Sequence, residues 1–270
     1  MPLNIHFISG LPRSGSTLLA AILRQNPRFR AGITTPLHSL VMDVLKGMSG
    51  ALDLSKVFIS DEQRKRIVAA VINAYYADVP ERSIIFDTNR GWPMALPVLS
   101  ELFPDAKVVC CLRSVSWILD SIERQVARHP WQPSKMFNYN PAMDVYSRVE
   151  VLIKDHLVGP SLRSLRQAWF SEYGKMLIGF RYESLTEDPA ESIRQLYGAL
   201  GERPFEHDFN NLHYEEPEYD NSLGMPGFHT VKSSVEPNRR ATILPPDIFC
   251  QYNECFWEDK DSNPRGITII

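Results

Sequence analysis

Apolar positions along the chain fall into two textures. Four short continuous runs have the length of strands buried on both faces: Ile5-His6-Phe7-Ile8, Ser83-Ile84-Ile85-Phe86, Lys107-Val108-Val109-Cys110-Cys111-Leu112 and residues 176–180. Between these runs, apolar residues recur at helical spacing. Ile67, Val68, Val71, Ile72 and Tyr75 mark one helix, opened by the capping-box pattern Ser60-Asp61-Glu62-Gln63. Other helices are predicted near 37–47, through Leu99 and Leu102, from Ser116 onward, and over 142–156 and 160–173. Asp188-Pro189 starts another, with Ile193, Leu196, Tyr197 and Leu200 on its apolar face and Gly201 at its end. Strands alternating with helices predict an α/β fold, a doubly wound parallel sheet with helices on both faces in three layers, α/β/α. Ligands in such sheets bind beyond the C-terminal ends of the strands.

The first strand runs into Gly10-Leu11-Pro12-Arg13-Ser14-Gly15-Ser16-Thr17 and then into an apolar helix. Strand, glycine-bracketed turn and helix together aim backbone N–H groups at an anion. Gly10, Gly15 and Thr17 match the spacing of the phosphate-binding loop G-x-x-x-x-G-K-[ST], so the sheet is P-loop-type, but Ser16 stands where that loop has its lysine. Arg13 is the cation available instead, and its planar fork suits a tetrahedral oxyanion. Three further loops follow strands: Thr88-Asn89-Arg90-Gly91, Arg113-Ser114-Val115 and Arg181-Tyr182-Glu183-Ser184-Leu185.

Composition narrows the picture. The chain has 270 residues, 44% of them hydrophobic, and is read as a single domain over 1–270. A net charge of −3 gives no overall basic field, so nucleic acid is not an expected partner. Four cysteines without a CxxC pair point to reduced thiols rather than zinc, and leave a Cys250–Cys255 disulfide open. Neither a signal-peptide pattern nor a bilayer-length apolar stretch is present, so the expectation is a cytoplasmic protein without stable membrane insertion. The proline- and aromatic-rich stretch 129–141 reads as an inserted lid or acceptor-binding loop, and 202–270 as an irregular C-terminal segment. Trp131, Phe137, Tyr139 and Tyr146 suggest an aromatic acceptor wall. The acids Glu215, Glu216, Glu218 and Asp220 read as a solvated loop.

Pro12-Arg13-Ser14-Gly15-Ser16-Thr17 resembles the 5′-phosphosulfate-binding loop of sulfotransferases that use 3′-phosphoadenosine 5′-phosphosulfate (PAPS). The eight-residue spacing of Arg113 and Ser121 resembles that family's 3′-phosphate segment, although Ser114-Val115 replaces its usual Asn-Pro. Tyr182-Glu183-Ser184-Leu185 with Asp188-Pro189 resembles its Tyr-Glu-x-Leu…Asp-Pro segment, which implies that Tyr182 lies near the nucleotide. Lys232, in Phe228-His229-Thr230-Val231-Lys232-Ser233, matches a basic segment that closes over the cofactor. The loop Gly-Leu-Pro-Arg-Ser-Gly-Ser-Thr is closer to bacterial enzymes related to the tyrosylprotein branch than to the cytosolic steroid and phenol branch.

The resemblance implies transfer of a sulfuryl group from PAPS to a hydroxyl on a peptide tyrosine, carbohydrate, lipid or small molecule. The product would be 3′-phosphoadenosine 5′-phosphate (PAP), and no metal is expected. The histidine base of the cytosolic branch is missing: its place reads Phe86-Asp87-Thr88-Asn89-Arg90. The candidate catalytic residues are Arg13, Asp87 as first choice for the base and His38 as second, with His229 third and Arg90 as an assisting cation. Taken alone, Asp87 reads equally as a Walker-B-like acid or a helix cap, and His38 as a helix-surface residue. Two other readings share the same loop: a P-loop kinase or nucleotidase with a lysine-less loop, and a non-catalytic nucleotide-binding protein.

Overall fold

The computed structural model describes residues 3–49, 54–131, 134–154, 156–237 and 239–270. Positions 132, 133 and 155, within the expected insertion and the helix expected at 142–156, lie outside the described residues. The strands are β1 (Ile5–Gly10), β2 (Phe29–Ala31), β3 (Ile84–Thr88), β4 (Val108–Leu112), β5 (Leu177–Arg181) and β6 (Thr268–Ile269). They form one sheet in the order β2-β3-β1-β4-β5-β6, every pair parallel. After β1 the chain passes to the edge strand β2, returns to β3 beside β1, and then crosses to β4 on the other side. The mouth of β1 is therefore the topological switch point, where doubly wound sheets open a crevice.

The helices among the described residues are α1 (Ser16–Leu23), α2 (Leu37–Met48), α3 (Asp61–Tyr75), α4 (Leu96–Leu102), α5 (Val115–Arg128), α6 (Val145–Lys154), α7 (Val158–Phe170), α8 (Tyr182–Glu187), α9 (Pro189–Leu200), α10 (Pro217–Ser222) and α11 (Pro246–Gln251). Strand side chains alternate between two cores, as the two-residue strand period requires. Phe7, Val108, Cys110 and Leu112 pack with Val41, Ile72, Ile118, Leu152 and Trp169 on one face. Ile8, Val109 and Cys111 pack with Leu19, Ile22, Ile193 and Leu196 on the other. These are the three expected layers.

Local signals were realised in detail. Ser60 and Gln63 exchange both hydrogen bonds of the capping box, at 3.2 and 2.8 Å. Asp188 Oδ1 accepts the Glu191 N–H at 3.1 Å, and Gly201 ends α9 at φ 71°. Two strands escaped the sequence pattern. β2 and β6 have three and two residues, too few to show a period, and tertiary pairing at the two sheet edges makes them.

Two expectations are corrected. No described residue of 129–141 lines the cleft described below. Met136 and Phe137 are buried in the core, while Trp131, Tyr139 and Tyr146 are exposed to solvent, so they form no wall to the cleft. The acidic stretch is not simply solvated: it contains α10, and Asp220 is 1% exposed. All four cysteines are free thiols, and Cys250 is not bonded to Cys255. Among the described residues, no helix is long and apolar enough to cross a membrane.

Candidate active site

The loop after β1 hugs its neighbour strand. Gly10 has φ 104°, and a Cβ there would sit 2.2 Å from the Cys111 carbonyl oxygen, so only glycine fits. The Leu11 N–H donates to that same oxygen at 3.0 Å. Arg13 follows in the left-handed region at φ 56°, uncommon for a residue with a side chain and found most often at functional sites. Gly15, at φ 93°, caps α1, and the ring of Tyr182 packs so closely on it that a Cβ would meet Cδ2 at 2.8 Å. Pro12 and Ser14 shape the turn. Ser14 is buried and its hydroxyl donates to the Leu11 carbonyl.

A cleft of about 280 Å³ opens at the mouth of this loop. Gly15, Ser16, Thr17 and Leu18 line it with the first turn of α1, where N–H groups have no intrahelical partner and the helix dipole is positive. The predicted residues Arg13, Arg113, Ser121, Tyr182 and Lys232 line it too, with Arg90 and His229.

These side chains touch one another. Arg13 Nε donates to Ser121 Oγ at 3.2 Å, and a terminal nitrogen donates to the Phe228 carbonyl. The guanidinium lies over the Phe228 ring, 4.4 Å from its centre. Burial, then the nearby charge of Arg113, pull the Arg13 pKa down to about 10, which leaves it protonated near neutrality. Arg113 is buried, donates to the Arg13 carbonyl at 3.0 Å, and stacks over Tyr182 at 4.1 Å. Its Nε is buried without a partner, as is the Nε of Arg240. Buried unsatisfied donors cost about 1–3 kcal/mol each, a deficit that a bound oxyanion would remove.

The sequence reading missed three cations. Arg124, Arg128 and Arg240 also line the cleft. Ser121, Arg124 and Arg128 stand three and seven apart on α5, one helix face, and that spacing was available to read. Arg240 comes from the irregular segment and carries no such signal. Asp120, fully buried on α5, holds Arg240 at 2.6 Å and Arg124 at 3.0 Å. Seven basic side chains therefore border the cleft against one acid, Glu236, in a chain of net charge −3.

The structure does not bring Asp87 or His38 to this cleft. Asp87 has no exposed surface, and its oxygens accept from Thr35 Oγ1 at 2.6 Å, Tyr76 OH at 2.5 Å and Trp92 Nε1 at 2.7 Å. Burial pushes its pKa up, against the three hydrogen bonds that lower it. It ties α2 and α3 to the end of β3 and has no face left for an acceptor. His38 lies edge-on to Trp92 at 5.1 Å and packs over Gly91, where a Cβ would lie 2.2 Å from its ring.

A family model described as "Sulfotransferase family" matches residues 6–207. The chain belongs to the sulfotransferase family. This sulfotransferase-family chain is 29% identical over 228 residues to "Nodulation protein NoeE" of Sinorhizobium fredii (strain NBRC 101917 / NGR234). The match covers 74% of the chain and 50% of that protein, so the chain spans about half the length of the curated relative it matches. Among solved structures, the sulfotransferase domain from the Synechococcus PCC 7002 olefin synthase superposes with a TM-score of 0.54 at 19% identity, covering 95% of this chain and 96% of that one. At that identity the likeness shows the shared fold. The sulfotransferase from Alicyclobacillus acidocaldarius gives a TM-score of 0.49 at 16% identity over 83% of this chain and 90% of that one.

Proposed function

We propose that the protein moves a sulfuryl group from PAPS to an acceptor hydroxyl by in-line displacement. The observation that carries this reading is the convergence of seven cationic side chains and the α1 N-terminus on one cleft. Buried guanidinium nitrogens without partners fit a ligand with oxyanions at both ends. When bound, the donor supplies a sulfuryl group already activated by its link to phosphate.

The residues divide into two ends. Arg13, Ser16, Thr17 and the free N–H groups of α1 would hold the phosphosulfate and stabilise charge developing as the bond to sulfur breaks. Arg113, Ser121, Arg124, Arg128 and Arg240 would hold the 3′-phosphate, with Tyr182 beside the nucleotide and Lys232 closing over it. Ser16 in place of a loop lysine accords with a sulfuryl group, which carries less charge than a terminal phosphoryl. The cleft draws on residues from Arg13 to Arg240, which supports reading 1–270 as one sulfotransferase-like domain. The acceptor is a hydroxyl compound of the peptide, carbohydrate, lipid or small-molecule class.

Calorimetry with PAP and with ATP, each with and without Mg²⁺, tests the reading, together with transfer of labelled sulfate from PAPS to an acceptor panel. PAP is expected to bind tighter than ATP, independently of Mg²⁺. Tighter binding of Mg²⁺–ATP than of PAP would overturn the reading in favour of a kinase.

A further inference from the structure

With Asp87 sealed in the core and His38 off the cleft, the acceptor proton needs another destination. Asp220 and His229 sit where one is wanted. Asp220, on α10, is 1% exposed, and both of its oxygens face His229. Oδ2 accepts the His229 backbone N–H at 2.8 Å, and Oδ1 pairs with the ring Nδ1 at 2.5 Å. The chain between them folds back through Met225 N to the Asp220 carbonyl at 3.0 Å and Phe228 N to the Met225 carbonyl at 3.1 Å. The Phe228 carbonyl accepts from Arg13, which fixes the neighbouring His229 beside the phosphosulfate end of the cleft.

A carboxylate only accepts, so Nδ1 carries the ring proton and Nε2 keeps its lone pair. Nε2 has no hydrogen-bond partner among the described residues, and His229 lines the cleft. Resting on the sulfotransferase reading above, we propose that His229 is the general base for the acceptor hydroxyl and that Asp220 is its positioning residue. The acceptor O–H bond breaks and its proton passes to Nε2. The acceptor oxygen forms the new bond to sulfur while the bond from sulfur to the 5′-phosphate oxygen breaks, and that electron pair stays on the phosphate. Nothing is oxidised or reduced. The arrangement repeats the carboxylate–imidazole logic of other general bases, in which the acid fixes the tautomer and stabilises the imidazolium.

The groups facing His229 are Asp220 and Tyr219 from α10, Arg13 from the first loop and Arg90 after β3. Burial, aided by the charges of Arg13 and Arg90, holds the imidazole below its usual range, and Asp220 opposes them. The ring is thus neutral, and basic, near neutrality.

The test has three parts. In donor-free wild-type protein, ¹⁵N NMR of the histidine rings is expected to show His229 as the neutral Nδ1–H tautomer. An Nε2–H tautomer would overturn the proposal. His229→Gln is expected to lower turnover by about 10²–10⁴-fold, the range for a general base, with PAP affinity by calorimetry kept within about threefold. A fully active variant, or one that loses PAP affinity along with turnover, removes His229 from the base role while wild-type PAP binding and turnover leave the sulfotransferase reading standing. Failure of the wild type to bind PAP sinks that reading instead. Asp220→Asn is expected to lower turnover and to move the acid limb of the pH–rate profile to lower pH, because a carboxylate that supports the imidazolium is gone. An unmoved limb would assign Asp220 a purely structural role and overturn its part in the proposal.

Discussion

Asp120 and Arg240 meet at 2.6 Å, the acid fully buried on α5 and the arginine arriving from the C-terminal segment. The same carboxylate takes the Arg124 guanidinium at 3.0 Å, the Ile243 N–H at 2.8 Å and the Thr242 hydroxyl at 3.1 Å. Burial alone would raise its pKa; the Ile243 N–H, Arg124 and Arg240 outweigh that and hold it below the usual carboxylate range. Asp120 does not line the cleft, but it aims two of the cations that do. Asp120→Asn is therefore expected to weaken PAP binding by roughly ten- to a hundredfold, since a misaimed charge-assisted contact is worth about 1.5–3 kcal/mol. Calorimetry reads the affinity and urea unfolding reads stability. Unchanged affinity would show that Arg240 and Arg124 hold their aim without Asp120.

The two ends of the cleft make separable predictions. Arg113 stacks on Tyr182 and leaves its Nε unpaired, at the end assigned to the 3′-phosphate. Arg113→Ala is expected to weaken PAP binding about tenfold or more and to leave adenosine 5′-phosphosulfate, which lacks the 3′-phosphate, nearly unaffected. Competition binding with the two nucleotides measures the difference. Equal losses for both would place Arg113 at the common part of the ligand.

Much of this was legible in the chain, for identifiable reasons. The Gly10–Thr17 loop is local: its glycines, its φ values and its helix start all belong to one stretch of sequence. Arg113 and Ser121 straddle one strand–helix junction, so their spacing carries geometry. The base was not legible. Asp87 ends an apolar strand, which in sequence looks the same whether its carboxyl faces a ligand or is capped by Thr35, Tyr76 and Trp92, the first of which lies 52 residues away in the chain. Gly224 and Pro226-Gly227 mark a turn between Asp220 and His229, but a turn signal does not say that the two side chains meet, and the acidity of the stretch suggested solvent. Their pairing is tertiary information.

The changed place of Asp87 reverses an expectation for its amide variant. Three donors converge on its two oxygens. Asp87→Asn puts an NH₂ group against at least one O–H or N–H donor and strands it. The expected result is a loss of about 1–3 kcal/mol of stability, with turnover per folded molecule and PAP affinity unchanged. Chemical unfolding and active-site-normalised kinetics check both. A stable but inactive variant would restore Asp87 to the chemistry.

His6 gives a pH dependence of stability that is independent of the cleft. It is 5% exposed in β1, and its Nδ1 accepts the Lys107 N–H at 3.1 Å, so the buried ring is neutral. Burial, then the charge of Lys107, pull its pKa from 6.5 to about 4. As pH falls below 6.5, the unfolded chain takes up a proton on this residue and the folded chain does not. The unfolded state is favoured, so stability is lost between pH 6.5 and about 4 and levels off below, where both states are charged. The full shift is worth roughly 3 kcal/mol. Urea unfolding of wild type and His6→Gln across that range measures it. The wild-type curve is expected to fall more steeply than that of the variant, which keeps an acceptor for the Lys107 N–H but has nothing to titrate. Parallel curves would show that the His6 ring is hydrated and takes its proton in the folded state.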